Sequence, residues 1–149
     1  MLKVLSFLLY LYSLNVQQSI SFIEMVHQNK QHSEILKKIC FRESRCSRIG
    51  RHKIDQKFSA ALWKKIVRKK ILRPATCPFH RRADRWSTSG PYGLMRAYHW
   101  KYIHSPCLPP SVLDIPLIAT WVAYTKLKTK CGSFCTYKKS RILWRGKRK

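Results

Sequence analysis

The sequence is poor in acidic residues. Its 149 residues include only six Asp and Glu against 31 Lys and Arg, which gives a formal net charge of +25. This balance excludes an acidic surface and favours polyanionic partners, among which nucleic acid, anionic lipid and an anionic cell wall all qualify. Charge alone does not choose among them, and a solvated basic surface without a polyanionic partner is an equally simple interpretation.

The sequence also lacks an apolar run of comfortable transmembrane length near its N-terminus. The run that follows Lys3, "VLSFLLYLYSLNV" at residues 4–16, has the length of the hydrophobic region of a signal peptide. No A-x-A-like cleavage site follows it. We expect residues 1–18 to form a signal peptide or an apolar leader, and the protein to be secreted or held in the cell envelope. A buried N-terminal helix and a short anchor are the alternatives.

Cysteines are few but even in number, which favours disulfides in an exported protein. The six are Cys40, Cys46, Cys77, Cys107, Cys131 and Cys135. They allow fifteen pairings, and the sequence does not select one. A zinc site is the alternative, because "CPFH" and "CGSFC" have loosely zinc-like spacings, although they do not form a standard paired pattern.

No internal repeat and no sustained strand alternation are present, so we predict a mainly helical single domain over residues 33–149. Residues 19–32 are expected to be a linker or a short helix. Four helices are predicted. The first runs from Ser33, as its N-cap, to about Ser47, and the second spans residues 57–70. The third begins near Gly93, and the fourth follows a cap at Asp114. The last of these carries an apolar stripe followed by lysines and leads to a basic C-terminal tail. The stripe is Leu117, Ile118, Trp121, Val122 and Tyr124, and the lysines are Lys126, Lys128 and Lys130.

Glu43 is unusual because it lies on the apolar side of its predicted helix. Four positions fall within about 60° of it on a helical wheel: Leu36, Ile39, Cys40 and Cys46. Arg42 and Arg45 fall about 100° and 160° away. Desolvation favours the protonated form of such a carboxyl group, which a general acid requires. The alternative is a structural Glu that reaches an arginine or a backbone amide.

A second segment gives Glu43 a context. Residues 87–100, "STSGPYGLMRAYHW", contain the pattern S-x-x-G-x-x-G-L-M. Together with the pair Glu43-Ser44 and with "VLDIP" at residues 112–116, this order of motifs resembles the lysozyme-like lytic transglycosylase superfamily, which includes the goose-type lysozymes. The resemblance covers about residues 34–130 and implies a mainly α, α+β lysozyme-like fold, with a glutamate-bearing helix, a Gly-rich cleft turn and long loops stapled by disulfides.

The resemblance implies a function in peptidoglycan cleavage. Glu43 would be the general acid at the β-1,4 bond between N-acetylmuramic acid and N-acetylglucosamine. Ser44 would orient the site, and Met95 would form its floor beneath the sugar. The substrate-binding residues implied are Ser44, Ser87, Gly90, Tyr92, Gly93, Met95 and Arg96.

The scarcity of acids bears on the reaction. The two-carboxylate scheme of glycosidases needs a partner for Glu43, and nothing marks Asp55 or Asp84 as one, while Asp114 is better explained as a cap. Lytic transglycosylases are thought to use one Glu as acid and then base while a 1,6-anhydro ring closes, so this reaction is favoured over the hydrolysis of a lysozyme-type muramidase. Two further alternatives are a basic protein that binds nucleic acid or anionic membrane through "WKKIVRKK" and "WRGKRK", and a member that binds glycan without cleaving it.

The sequence departs from the family pattern at three points. Arg96 replaces the usual Gln. An insertion fills residues 47–86, and a Cys46–Cys77 bridge is one guess for how it is braced. The late Tyr-Asn motif is unclear, with Tyr124, Tyr137 or Trp144 as candidates. The expected partners are peptidoglycan strands and anionic wall polymers, with no nucleic acid, no cofactor, no metal and a monomeric state.

Overall fold

The structure, a computed structural model, describes residues 1–47, 88–95 and 110–145. The predicted mainly helical architecture is confirmed for these residues. The elements are α1 (Leu2–Ser13), α2 (Val16–His27), α3 (Lys30–Ser44), β1 (Thr88–Ser89), β2 (Leu94–Met95), a 3₁₀ turn (Pro110–Asp114), α4 (Pro116–Cys131) and α5 (Tyr137–Arg145). Strands β1 and β2 pair antiparallel and close the Gly-rich turn, where a helix was predicted to begin. The helix predicted over residues 57–70 lies outside the described residues.

Helix α2 occupies most of the segment for which a linker or a short helix was expected, and it begins within the predicted leader. Asn15 and Gln18 form a reciprocal capping box at its N-terminus, which satisfies two backbone N–H groups that the first turn leaves free. Val16, Ile20 and Ile23 are buried along one face. The packed domain therefore starts before Ser33, at about Asn15.

Helix α3 starts one turn earlier than predicted. Asn29, rather than Ser33, is the N-cap, and its Oδ1 accepts a hydrogen bond from the His32 backbone N–H at 3.0 Å. Ser33 is buried inside the helix. The helix ends at Ser44, because Arg45 adopts a left-handed conformation with φ of 56°.

The core forms where α2, α3 and α4 pack against one another, with α5 added against α3 and α4. Its buried apolar side chains on α3 and α4 are Ile35, Leu36, Ile39, Cys40, Ala119, Val122, Ala123, Tyr124 and Leu127. On α4, Val122 and Tyr124 are buried as predicted, but Trp121 is 42% exposed. The small residues Ala119 and Ala123 take the inner face instead, because they let α4 approach its neighbours closely.

Two disulfides confirm the expectation of disulfide bonds. Cys40 pairs with Cys46 at the end of α3, and Cys131 pairs with Cys135 between α4 and α5. The guess of a Cys46–Cys77 bridge is therefore wrong, and Cys131 and Cys135 are not free to bind zinc as thiolates. Cys77 and Cys107 lie outside the described residues.

The loop closed by Cys131–Cys135 is fastened to the start of α3. The Gln31 side chain donates to the Cys135 carbonyl at 2.6 Å, and His32 Nε2 lies 2.9 Å from the Gly132 carbonyl oxygen. Because a carbonyl oxygen only accepts hydrogen bonds, this contact of the buried His32 requires that Nε2 carry the proton. The loop thereby fixes α3 relative to α4.

Helix α1 contributes no buried side chain and exposes a series of large apolar residues. No helix in the part of the chain that the structure describes is long and apolar enough to span a bilayer.

Candidate functional site

The pair Glu43-Ser44 lies against the Gly-rich turn. The Ser44 hydroxyl donates to the Pro91 carbonyl at 2.8 Å. A Cβ atom added to Gly93 would lie 3.3 Å from Glu43 Oε2, so the carboxylate is seated directly on the turn. The two segments that were separated in sequence are therefore neighbours. Through this hydrogen bond Ser44 holds the turn against the end of α3, and its oxygen keeps the capacity to accept a further hydrogen bond.

The turn is also held from the 3₁₀ segment. Gly90 is buried with φ of 72°, and its N–H donates to Asp114 Oδ1 at 2.9 Å. A Cβ at Gly90 would lie only 1.9 Å from the Leu113 carbonyl oxygen. Close approach to Leu113, rather than to a ligand, therefore requires this glycine. The predicted cap role of Asp114 is wrong: Ile115 is the N-cap of α4, without a side-chain cap, and Asp114 holds the turn.

Tyr92 was expected to bind substrate, and the structure places its side chain in the core instead. It is fully buried, and its hydroxyl lies 2.9 Å from Thr120 Oγ1. Burial raises the pKa of Tyr92 well above its usual range. Only its backbone faces the site, where the Tyr92 carbonyl accepts a hydrogen bond from Trp144 Nε1 at 2.9 Å.

The predicted environment of Glu43 is wrong in one respect. Its carboxylate is not isolated from arginine: Arg42 Nη2 lies 2.7 Å and Arg42 Nε 2.9 Å from Glu43 Oε1, and the Glu43 side chain is 30% exposed. The wheel gives the direction of each Cβ, but the long Arg42 side chain folds back across that angle. The core stripe of α3 also ends at Cys40, one turn before the helix ends, so Glu43 lies at the edge of the core.

Lys126 is the second ionisable group of the site, and it was assigned only a helix-dipole role from sequence. Burial lowers the pKa of Lys126 to about 8, and the negative charge of Glu43 partly opposes this shift. Its Nζ lies 4.3 Å from the centre of the Trp144 ring, a distance that suits a cation–π contact. The signal was present in the sequence, since Lys126 follows Val122 and Ala123 by four and three residues and so lies on their buried face.

The remaining predicted residues are distributed as follows. Met95 lies in β2, where its backbone pairs with Thr88. Ser87 and Arg96 lie outside the described residues. Of the candidates for the late aromatic motif, Trp144 contacts the turn, whereas Tyr124 stacks on His27 at 4.5 Å and Tyr137 lies beneath Lys38.

The site is a carboxylate flanked by two cations and a glycine. A carboxyl group can donate or accept a proton, and Arg42 and Lys126 place positive charge beside this one. Gly93 removes side-chain bulk next to the carboxylate, which leaves room for a ligand atom. Across residues 1–47, 88–95 and 110–145, no three His, Cys, Asp or Glu side chains converge as metal ligands would.

Comparisons with protein-family models, with curated proteins and with solved structures find no match to this chain.

Proposed function

We propose that the protein is a lytic transglycosylase with a lysozyme-like fold, which cleaves the β-1,4 bond between N-acetylmuramic acid and N-acetylglucosamine in peptidoglycan. The observation that carries the proposal is the seat of Glu43 Oε2 beside Gly93. With the Ser44–Pro91 and Gly90–Asp114 hydrogen bonds, it brings together the three separate segments on which the resemblance rests.

In the proposed reaction Glu43 protonates the glycosidic oxygen and then, as a carboxylate, removes a proton from the muramyl hydroxyl that closes the 1,6-anhydro ring. Arg42 holds Oε1 in an ion pair at 2.7 Å. Presentation of this oxygen to the glycosidic bond therefore requires Arg42 to release it when substrate binds. Lys126, whose charge interacts with that of Glu43, stabilises the carboxylate that remains after proton transfer.

Transglycosylation is favoured over hydrolysis by the positions of two other carboxylates. Asp114 accepts from the Gly90 N–H, and Glu34 pairs with Lys37 on the exposed side of α3. Both have structural partners, which argues against either one as the partner acid of a two-carboxylate mechanism. Asp55 and Asp84 lie outside the described residues.

Secretion or placement in the cell envelope is part of the proposal. The two disulfides are the pattern of an oxidising compartment, and the unburied apolar helix α1 suits a leader that does not belong to the folded core. If the N-terminal leader is cleaved off, the cleavage must fall before Asn15, because Asn15 caps α2 and Val16 lies in the core.

The test is release of soluble fragments from insoluble peptidoglycan, analysed by mass spectrometry. Wild type should release 1,6-anhydro muropeptides and Glu43→Gln should release none. Glu34→Gln is the matched control, because it removes one carboxylate from the exposed side of the same helix. Reducing-end products would identify a hydrolase. Absence of release by wild type, or equal release by Glu43→Gln, contradicts the catalytic proposal.

A further inference from the structure

A groove with a volume of about 970 Å³ opens between α2, α3 and α5, and Arg42 is among the residues that line it. We call it the basic groove and define it by the side chains that give it its character. These are Lys37, Lys38, Phe41, Arg42, Arg45 and Tyr137. None of the described residues that line it is a carboxylate, so the four cations among them give this surface a concentrated positive charge.

The cations of the basic groove are only partly neutralised. Lys37 pairs with Glu34 and Arg42 with Glu43, whereas Lys38 and Arg45 form no ion pair within the described part of the chain. Arg42 Nη1 is buried, and it makes no hydrogen bond to any residue that the structure describes. A buried guanidinium N–H without a partner is costly, so a shift of the Arg42 side chain that brings this N–H to an anion in the groove removes that cost.

Arg42 belongs to both sites. Its Nε and Nη2 face Glu43 Oε1, and its side chain also lines the basic groove. A carboxylate bound in the groove competes directly with Glu43 for the guanidinium, because the planar fork of arginine binds carboxylates through two parallel hydrogen bonds.

We infer that the basic groove binds carboxylates of the peptide stems on the same strand that Glu43 cleaves, and that this contact draws Arg42 away from Glu43. The inference rests on the proposed function. It names the stem-bearing, anionic strand as the substrate class and assigns Arg42 as a positioning residue that frees the acid when such a strand is bound.

Three features favour peptide stems over a single small anion. The cations extend from Lys37 to Arg45, a distance of about 12 Å along a helix, which suits an extended ligand with several negative groups. Phe41 is 68% exposed, and with Tyr137 it gives the groove an apolar wall for short aliphatic side chains. The groove also adjoins Glu43 through Arg42, so a strand in one site reaches the other.

Binding is measured by titration calorimetry with full-length Glu43→Gln, which binds without turnover. The probes are a stem-bearing muramyl tetrasaccharide, neutral chitotetraose and a single-stranded oligonucleotide. Adding Lys38→Gln and Arg45→Gln should weaken binding of the stem-bearing probe about tenfold and leave chitotetraose unchanged. Lys128→Gln with Arg141→Gln is the matched control, since it removes the same charges from exposed positions outside the groove, and it should change the affinity by less than about twofold.

The groove pair, Lys38→Gln with Arg45→Gln, should raise KM for stem-bearing strands when it is introduced into the wild-type protein. It should leave kcat unchanged, because the groove binds the strand and Glu43 carries out the reaction. Equal effects of the groove pair and the control pair would overturn the inference, as would an affinity for neutral chitotetraose equal to that for the stem-bearing probe. Oligonucleotide binding that is tighter than binding of the stem-bearing probe, and that the groove pair weakens more, would also overturn it and would indicate a nucleic-acid site. Cleavage by wild type with an unchanged KM in the groove pair sinks this inference alone. Groove-dependent binding of the stem-bearing probe without cleavage by wild type sinks the proposed reaction alone.

Discussion

Three glycines have positive φ, between 58° and 77°, and meet different surroundings. Gly90 faces the Leu113 carbonyl, Gly93 faces the Glu43 carboxylate, and Gly132 faces open space. Gly132 combines its φ of 77° with a ψ of −172°, a region that essentially only glycine occupies. The cost of adding a methyl group is therefore a backbone cost at Gly132 and includes a contact cost at Gly90 and Gly93.

Alanine substitution of each glycine is expected to give a graded result. Gly132→Ala should lower the free energy of unfolding by about 1 to 3 kcal/mol, because a side chain is strained in that backbone region. Gly90→Ala should cost more, because its Cβ would also collide with backbone. Gly93→Ala should cost less stability than Gly90→Ala and, under the proposed function, should release less peptidoglycan than Gly132→Ala, since the methyl group presses on Glu43 Oε2. Urea unfolding and fragment release measure the two effects, and cleavage by Gly93→Ala equal to that by Gly132→Ala would contradict the assignment.

Lys126 gives the stability of the protein a specific dependence on pH. Its folded pKa of about 8 is below its usual value of 10.5, so between these values the unfolded chain binds more protons than the folded one. The free energy of unfolding therefore rises with pH across this window. Lys126→Met should be more stable than wild type at pH 7 by about 2 kcal/mol, since each pKa unit corresponds to about 1.4 kcal/mol and the lost cation–π contact offsets part of the gain.

Unfolding by urea at several pH values checks this expectation. The stability difference between Lys126→Met and wild type should shrink as pH rises from 8 to about 10.5, where both forms carry a neutral group. Lys128→Met, at an exposed position two residues later, is the control and should show no such trend. A constant difference at all pH values would mean that Lys126 acts through packing alone.

The site could be predicted at the level of residue identity but not of side-chain direction. The Glu43-Ser44 pair and the Gly-rich turn follow from motif order, because each needs only a short pattern. The wheel could not foresee that Arg42 folds back to Glu43, since long side chains reach across the angles that Cβ directions define. Tyr92 was assigned to the cleft for its position in the motif, while burial against Thr120 depends on where α4 packs.

At the scale of elements, α3 is restrained at both ends. Gln31 and His32 tie its start to the loop after α4, and Cys40–Cys46 together with Ser44 fixes its end. A helix terminus ordinarily frays. The end of α3 carries the carboxylate, so its restraint determines where Glu43 Oε2 lies.

Removal of the Cys40–Cys46 bridge by Cys40→Ala with Cys46→Ser should therefore affect cleavage more than removal of Cys131–Cys135 does. Both pairs close short loops, and each double substitution should lower the free energy of unfolding by about 2 kcal/mol. Only the first lets the last turn of α3 open. Thermal unfolding and fragment release, measured below the lower melting temperature, separate stability from activity, and equal activity losses in the two variants would contradict this account.

Element boundaries show why local patterns have limited reach. Asn29 and Ser33 are both good cap residues, and tertiary packing decides between them because Ser33 faces the core. Asp114 is likewise a plausible cap by sequence, but the turn at Gly90 takes its carboxylate. The mainly helical class needed no such choice, since the apolar spacing of α3 and α4 already predicts it.

At the scale of the whole molecule, the domain divides into a packed part and an exposed N-terminal helix. Deleting residues 2–13 should leave the melting temperature within about 2 °C, because α1 contributes no buried side chain. It should also reduce self-association, since large exposed apolar surfaces promote it. Calorimetry and light scattering test both points, and a fall of more than about 5 °C would show that α1 belongs to the core.

The hydrogen bond from Trp144 to Tyr92 spans 52 positions of the chain, and it bears on the order in which the protein becomes competent. Contacts between distant segments form late in folding, because loop closure must precede them. Synthesis proceeds from the N-terminus, so Glu43 emerges long before α5 can dock. A chain interrupted before α5 would carry Glu43 without Trp144 beside the turn, and a cell that makes this protein would hold an incomplete cleft until the last helix is delivered.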